Sequence, residues 1–191
     1  MKFIRKSKAK YLPALLLLTI FTATHALAAQ VSIDSRDFIP LTGDTVYGES
    51  GAGNLFCANG SPSNLFIAQV PLPPAPIELD IKQLAVWGGD TSSADAAVRL
   101  DRYCQDEFAG STPVRTIITE VGSSGSAGNY FDASALNFRV DDQRTCIYML
   151  SMRLGLNGCN GTNLNVARVR VRYDVVQQPI AEQIFKNGFE N

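Results

Sequence analysis

Two stretches near the C-terminus decide the fold: TCIYMLSMRL (145–154) and VARVRVRYDV (166–175). In the second, Ala167, Val169, Val171, Tyr173 and Val175 alternate with Arg168, Arg170, Arg172 and Asp174. A period of two marks a strand with one buried and one wetted face. In the first, Cys146, Tyr148, Leu150, Met152 and Leu154 share a face. The segment between them, GLNGCNGTNLN (155–165), carries the glycines and asparagines that accept positive φ in turns. The two stretches read as an antiparallel pair at the centre of an all-β core.

Further strands are expected upstream at short intervals. They are Val31–Leu41 (an edge strand stopped by Pro40), a short one at Val46-Tyr47 within the loops of Thr42–Pro62, and Leu65–Val70. Ile77–Trp87, Ala96–Cys104, Val114–Val121 and Ala135–Val140 follow. In Ile77–Trp87, Leu84 and Val86 share one face and Ala85 and Trp87 the other. GGDTSS (88–93), GSSGSAG (122–128) and Asp141-Asp142 read as turns or loops. VPLPPAP (70–76) cannot donate ladder hydrogen bonds and reads as a rigid connection between sheets. Short strands, Gly/Asn/Pro turns and no amphipathic helix predict an antiparallel β-sandwich, jelly-roll-like and single-domain.

The N-terminus reads as an export signal. Lys2, Arg5, Lys6, Lys8 and Lys10 precede the apolar run Leu12–Ala23, and Ala26-Leu27-Ala28 supplies small residues for cleavage. A bilayer span needs about 20 apolar residues, more than this run offers. Residues 1–28 are therefore expected to be removed, leaving a mature chain that starts at Ala29, is exported to the periplasm or secreted, and inserts in no membrane. Removal takes five of 17 cationic residues and none of 18 acidic ones, leaving 12 against 18 and a formal charge of −6. So acidic a domain is a poor partner for nucleic acid. The only histidine, His25, leaves with the signal.

The 191 residues less 28 leave 163, enough for one core, which is expected over 29–176 with a separate C-terminal tail over 177–191. Gln177-Gln178-Pro179 breaks the last strand ahead of that tail, which is expected to be dispensable for folding. Cys57, Cys104, Cys146 and Cys159 remain, and an even count in an exported chain reads as disulfides. Cys104 ends one strand with the parity of Val98 and Leu100, and Cys146 starts another on the face of Tyr148 and Leu150. Antiparallel neighbours would bring the two together, leaving Cys57 and Cys159 to meet between Asn/Gly loops. A Cys146–Cys159 bridge is disfavoured, because about eight residues of strand separate them by roughly 26 Å.

Ile39-Pro40, Ile81…Leu84…Val86-Trp87…Asp90 and Val98-Arg99-Leu100 resemble the opening half of a group of small exported bacterial proteins. Tyr148–Met152 and Val169–Tyr173 resemble its closing half. The resemblance covers residues 38–175 and implies a β-sandwich without implying an activity. The group's Leu-Pro-x-Gly-Ala lead into the central strand is absent here; Ile77-Glu-Leu-Asp80 stands in its place. Ile184-Phe185-Lys186-Asn187-Gly188-Phe189-Glu190 resembles a short terminal tail of other exported bacterial proteins.

Without an imidazole, the mature chain offers no ordinary base to activate a serine or cysteine, and only Lys82 and Lys186 could substitute. Paired carboxylates could cleave sugars, with Glu49, Glu78, Asp80, Asp101, Glu107 and Glu120 to draw on, but none sits in a telling motif. The ion that turn carboxylates suit is calcium, and Asp90, Asp95, Asp141 and Asp142 are its candidate ligands; turn aspartates equally cap backbone N–H groups. No cofactor is otherwise implied. Trp87, Tyr103, Tyr130 and Phe131 are the aromatic candidates for stacking a sugar. The arginine ladder 168/170/172 reads as a solvated or salt-bridged face. NGS (59–61) and NGT (160–162) match the glycosylation sequon and are taken as turns. The sequence thus points to an exported, non-catalytic structural or interaction protein with a protein or glycan partner. The alternatives are a carbohydrate- or calcium-dependent surface module, and a carboxylate glycoside hydrolase.

Overall fold

The computed structural model describes residues 27–73, 78–105, 113–125, 128–140, 145–155 and 158–176. The leader through residue 26, Glu107, Asp141-Asp142, Pro74–Pro76 and the tail 177–191 lie outside the described residues. Eleven strands are described: β1 (Leu27–Asp34), β2 (Ile39–Pro40), β3 (Tyr47–Glu49), β4 (Leu55–Cys57), β5 (Leu65–Gln69), β6 (Glu78–Asp90), β7 (Ala96–Cys104), β8 (Val114–Gly122), β9 (Gly128–Arg139), β10 (Cys146–Leu154) and β11 (Leu164–Val176). Every pairing between them is antiparallel. One sheet runs β3-β4-β11-β6-β9, with β1 also paired to β11; the other runs β2-β5-β10-β7-β8. The result is an antiparallel β-sandwich stapled by two disulfides.

The inner faces are those the alternation assigns on β10 and on β11 from Val169 onward; before it, Leu164 and Val166 are buried and Ala167 faces outward. Cys146, Tyr148, Leu150, Met152 and Leu154 are all buried on β10, facing Val169, Val171 and Tyr173 of β11 across one core. Each fully buried Leu or Val contributes roughly 1.5–3 kcal/mol through removal of apolar surface from water. The expected pairing of these two strands, however, is not what forms. β10 is the middle strand of the second sheet and β11 a central strand of the first, so the Gly/Asn loop crosses the sandwich instead of closing a hairpin. Alternation reveals which face is buried, and two strands facing each other across a core carry the same signature as two side by side.

Four further differences have local causes. Residues 31–41 form two strands in different sheets, because a 3-10 turn at Ser35–Asp37 carries the chain from β1 to β2. Pro40 is paired within β2 at the sheet edge, where its missing N–H is harmless. β4 lies in what reads as loop. Gly88-Gly89-Asp90 continues β6 and does not turn it: a Cβ at Gly88 would collide with the Asn165 carbonyl oxygen and the Tyr130 ring, so the strands approach there only through glycine. β9 likewise starts at Gly128, seven residues before the expected strand. The proline-rich run leads from β5 in the second sheet to β6 in the first, as a connection between sheets.

Tyr130 points inward from β9, its hydroxyl donating to the Asn165 carbonyl at 3.4 Å. Burial, with Asp90 and Asp132 nearby, pushes its ionisation well above the ordinary phenol value. A phenol raised in this way leaves stability intact below the unfolded value near pH 10 and loses it as pH rises toward the folded value. Tyr130→Phe is therefore expected to flatten the alkaline limb of the stability profile between about pH 10 and 12. Urea midpoints measured at each pH check this; an unchanged limb would place the alkaline sensitivity elsewhere.

Candidate functional site

The site lies on the outer face of the first sheet, where two strands share one edge of β11. β1 pairs with β11 from Leu27↔Val175 to Asp34↔Arg168, and β4 takes over at Leu55↔Val166. Between them the register against β6 shifts at Ala167, a bulge that also turns Leu164 and Val166 into the core. The break between β1 and β4 opens a groove of about 470 Å3 above Ala167.

The walls are fixed by hydrogen bonds. On one side the β3–β4 turn reverses through Gly53, whose φ of +78° suits glycine. The Ser35 hydroxyl donates to the Gly53 carbonyl, and Asn54 Nδ2 donates to Asn165 Oδ1 at 2.9 Å. Along the floor, outward residues fall into rows set by the register. One row runs Asp34–Arg168–Trp87–Phe131, and the next Ser32–Arg170–Ala85–Ala133. Trp87 is half-buried and Phe131 is 57% exposed. Their ring centroids lie 4.9 Å apart with the planes tilted by 39°, an angled pair and not a flat platform. The Arg170 guanidinium sits over the Trp87 ring at 4.9 Å. Arg168 Nε donates to Asp34 at 3.3 Å, and Arg36 Nε to Glu49 at 3.2 Å.

Of the four aromatic candidates, the structure brings together Trp87 and Phe131. Tyr103 lies on the outer face of the other sheet, where Arg115 covers it at 6.0 Å, and Tyr130 points into the core. The calcium candidates fare differently. Asp90 is fully buried, accepting the Ser92 N–H at 3.0 Å and the Ser92 hydroxyl at 3.2 Å, while Asp95 accepts the Gly125 N–H at 2.8 Å. Both do the turn-capping work of aspartates. Among the described residues no three His, Cys, Asp or Glu side chains gather to hold a metal. The cysteines pair as Cys57–Cys159, Cα atoms 5.3 Å apart, and Cys104–Cys146, 4.1 Å apart and in direct register across β7 and β10.

Glu107 lies outside the described residues, and the other carboxylates weighed for sugar cleavage are each held by a cation. Arg139 contacts Glu78 at 2.7 Å and Asp80 at 2.6 Å, Lys82 reaches Asp80 at 3.3 Å, Arg99 pairs with Glu120, and Arg115 Nη2 meets Asp101 at 2.9 Å. The polar groove residues that sequence reasoning did not single out are Gln30, Ser32, Asp34, Ser35, Arg36 and Asn54. Their one signal is polarity.

No family model matches this chain, and no match to a curated protein sequence was found. Solved structures it is similar to include the exo-β-1,3-galactanase of Phanerochaete chrysosporium with galactose, at TM-score 0.42 and 10% identity over 75% of this chain and 29% of that one. The Clostridium thermocellum N-terminal xylanase 10B modules, a CBM22 with a GH10 domain complexed with xylohexaose, give TM-score 0.38 and 9% identity over 82% and 29%. A CBM6 of Clostridium stercorarium with cellobiose gives 0.37 and 4% over 78% and 94%. This chain spans under a third of the first two proteins, and the reading of the groove rests on its own residues.

Proposed function

We propose that the protein is an exported, non-catalytic interaction module whose ligand is a carbohydrate, bound on the outer face of the first sheet. The observation that carries this is the Trp87–Phe131 pair beside a groove lined by Gln30, Ser32, Asn54 and Arg170. A pyranose ring has apolar C–H faces and a polar rim. It therefore suits a site where aromatic surface adjoins amide, hydroxyl and guanidinium groups that can meet its hydroxyls. Export is supported by the leader-like sequence and by the two disulfides, which persist in oxidising compartments.

The non-catalytic part rests on charge pairing. Glycoside hydrolysis needs two carboxyl groups flanking one bond. Among the described residues the groove is lined by one carboxylate, Asp34, and that one is paired with Arg168.

Trp87 is the only tryptophan, so its fluorescence reports the site directly. Titration with a panel of soluble oligosaccharides is expected to shift it, with Phe131→Ala weakening the tightest ligand about tenfold, or about 1.4 kcal/mol. Phe131 is exposed, so this variant is expected to melt with the parent. A panel without any response at millimolar sugar, or equal affinity in Phe131→Ala, would overturn the reading.

A further inference from the structure

Resting on that reading, we infer that the saccharide is acidic: its class is a carboxylate-bearing sugar, the carboxylate held by Arg170. The whole chain carries a formal charge of −1. Among the described residues the groove inverts that sign, with Arg36, Arg168 and Arg170 lining it against the one carboxylate of Asp34.

The three arginines are not equivalent. Arg168 and Arg36 are engaged by Asp34 and Glu49. Arg170 has neither an ion-pair nor a hydrogen-bond partner among the described residues; its guanidinium lies over the Trp87 ring, and its Nε is buried without an acceptor. A guanidinium carries five N–H donors in a planar fork and cannot shed its charge, so a buried donor without an acceptor is costly. The register explains the vacancy. Asp34 stands opposite Arg168, whereas Ser32, a poor counter-charge, stands opposite Arg170. A carboxylate matches the fork in two parallel hydrogen bonds. With Trp87 holding the guanidinium plane from one side, the anion is presented next to the aromatic surface on which its own sugar ring can lie.

Arg172 is the internal control. It continues the same outward ladder and is exposed, but it does not line the groove.

The test uses oligomers of galacturonate and of mannuronate, each beside its methyl ester, with dextran sulfate as a polyanion of different geometry. Binding is followed by Trp87 fluorescence and by calorimetry on the full protein. At least one uronate oligomer is expected to bind, with esterification weakening it tenfold or more. Arg170→Gln is expected to weaken the acid by about tenfold and the ester by much less, so that the preference for acid over ester collapses, Arg170→Lys to restore part of that preference, and Arg172→Gln to have no effect. Equal binding of acid and ester, or tight binding of neutral oligosaccharides alone, overturns the acidic assignment while glycan binding stands. Silence toward every saccharide removes the glycan reading itself. Dextran sulfate binding as tightly as the uronates, with Arg172→Gln as damaging as Arg170→Gln, overturns the assignment in favour of unspecific charge attraction.

Discussion

Replacing Cys57 and Cys159 together by alanine is expected to lower the stability of the folded protein by about 4–5 kcal/mol. The two cysteines are separated by 102 residues of chain, and the chain-entropy treatment assigns about 4.7 kcal/mol to closing a loop of that length. Cys57 is 1% exposed in β4, a strand of three residues whose register with β11 is one residue, Leu55 opposite Val166. So short a strand has little ladder of its own, and the bridge to the loop ahead of β11 holds it. β4 also ends the turn that walls the groove, so loss of the bridge is expected to loosen the groove as well as the fold. Cys104→Ala with Cys146→Ala removes a bridge closing 42 residues and is expected to cost about 4 kcal/mol, with the groove left intact. Guanidinium unfolding of the two double variants, with Trp87 emission recorded before the transition, separates the two effects. A Cys57/Cys159 variant within about 1 kcal/mol of the parent would show that β4 is held by packing alone.

The reach of the sequence is uneven, for physical reasons. The inner face of β10 was fully legible, because five residues at strict period two leave one burial pattern. β11 was legible only after the bulge. Reading parity backwards from Val169 puts Ala167 in the core, whereas the structure buries Leu164 and Val166 and leaves Ala167 on the groove floor. A bulge adds one residue with no sequence mark of its own. β4 escaped because Leu55-Phe56-Cys57 is too short for periodicity and is flanked by Gly and Asn. For the site, Trp87 could be placed on an outward face by sharing parity with Ala85. Its companion Phe131 could not, since β9 begins inside a glycine-rich stretch. The ladder of Arg168, Arg170 and Arg172 was visible, but which of them lacks a carboxylate depends on Asp34 falling opposite Arg168, and that register is set by β1, over a hundred residues away.

The second large effect is expected on the opposite sheet. Asp101 is fully buried on the outward side of β7, beside its register partners Met149 and Ile117. Arg115 grips it in two bonds, Nε to Oδ1 at 3.1 Å and Nη2 to Oδ2 at 2.9 Å, and the Ser151 hydroxyl donates to Oδ2 at 2.5 Å. That hydrogen bonding raises the Arg115 pKa above its ordinary value against the opposing effect of burial. Removing one partner of a buried pair leaves the other charge uncompensated, which costs about 3–5 kcal/mol. Arg115 is 42% exposed, so water can replace part of its role, and Arg115→Met is expected to fall at the lower end, about 2–3 kcal/mol. Asp101→Leu combined with Arg115→Met is expected to recover most of that loss, since neither charge remains and the register partners Met149 and Ile117 are apolar. A double-mutant cycle by urea unfolding measures the coupling directly. Because this pair sits on the sheet that lacks Trp87 and Phe131, saccharide affinity is expected to stay unchanged throughout the cycle. Additive losses would mean that Asp101 is hydrated in the folded protein and that the Arg115 grip contributes nothing beyond an exposed surface pair.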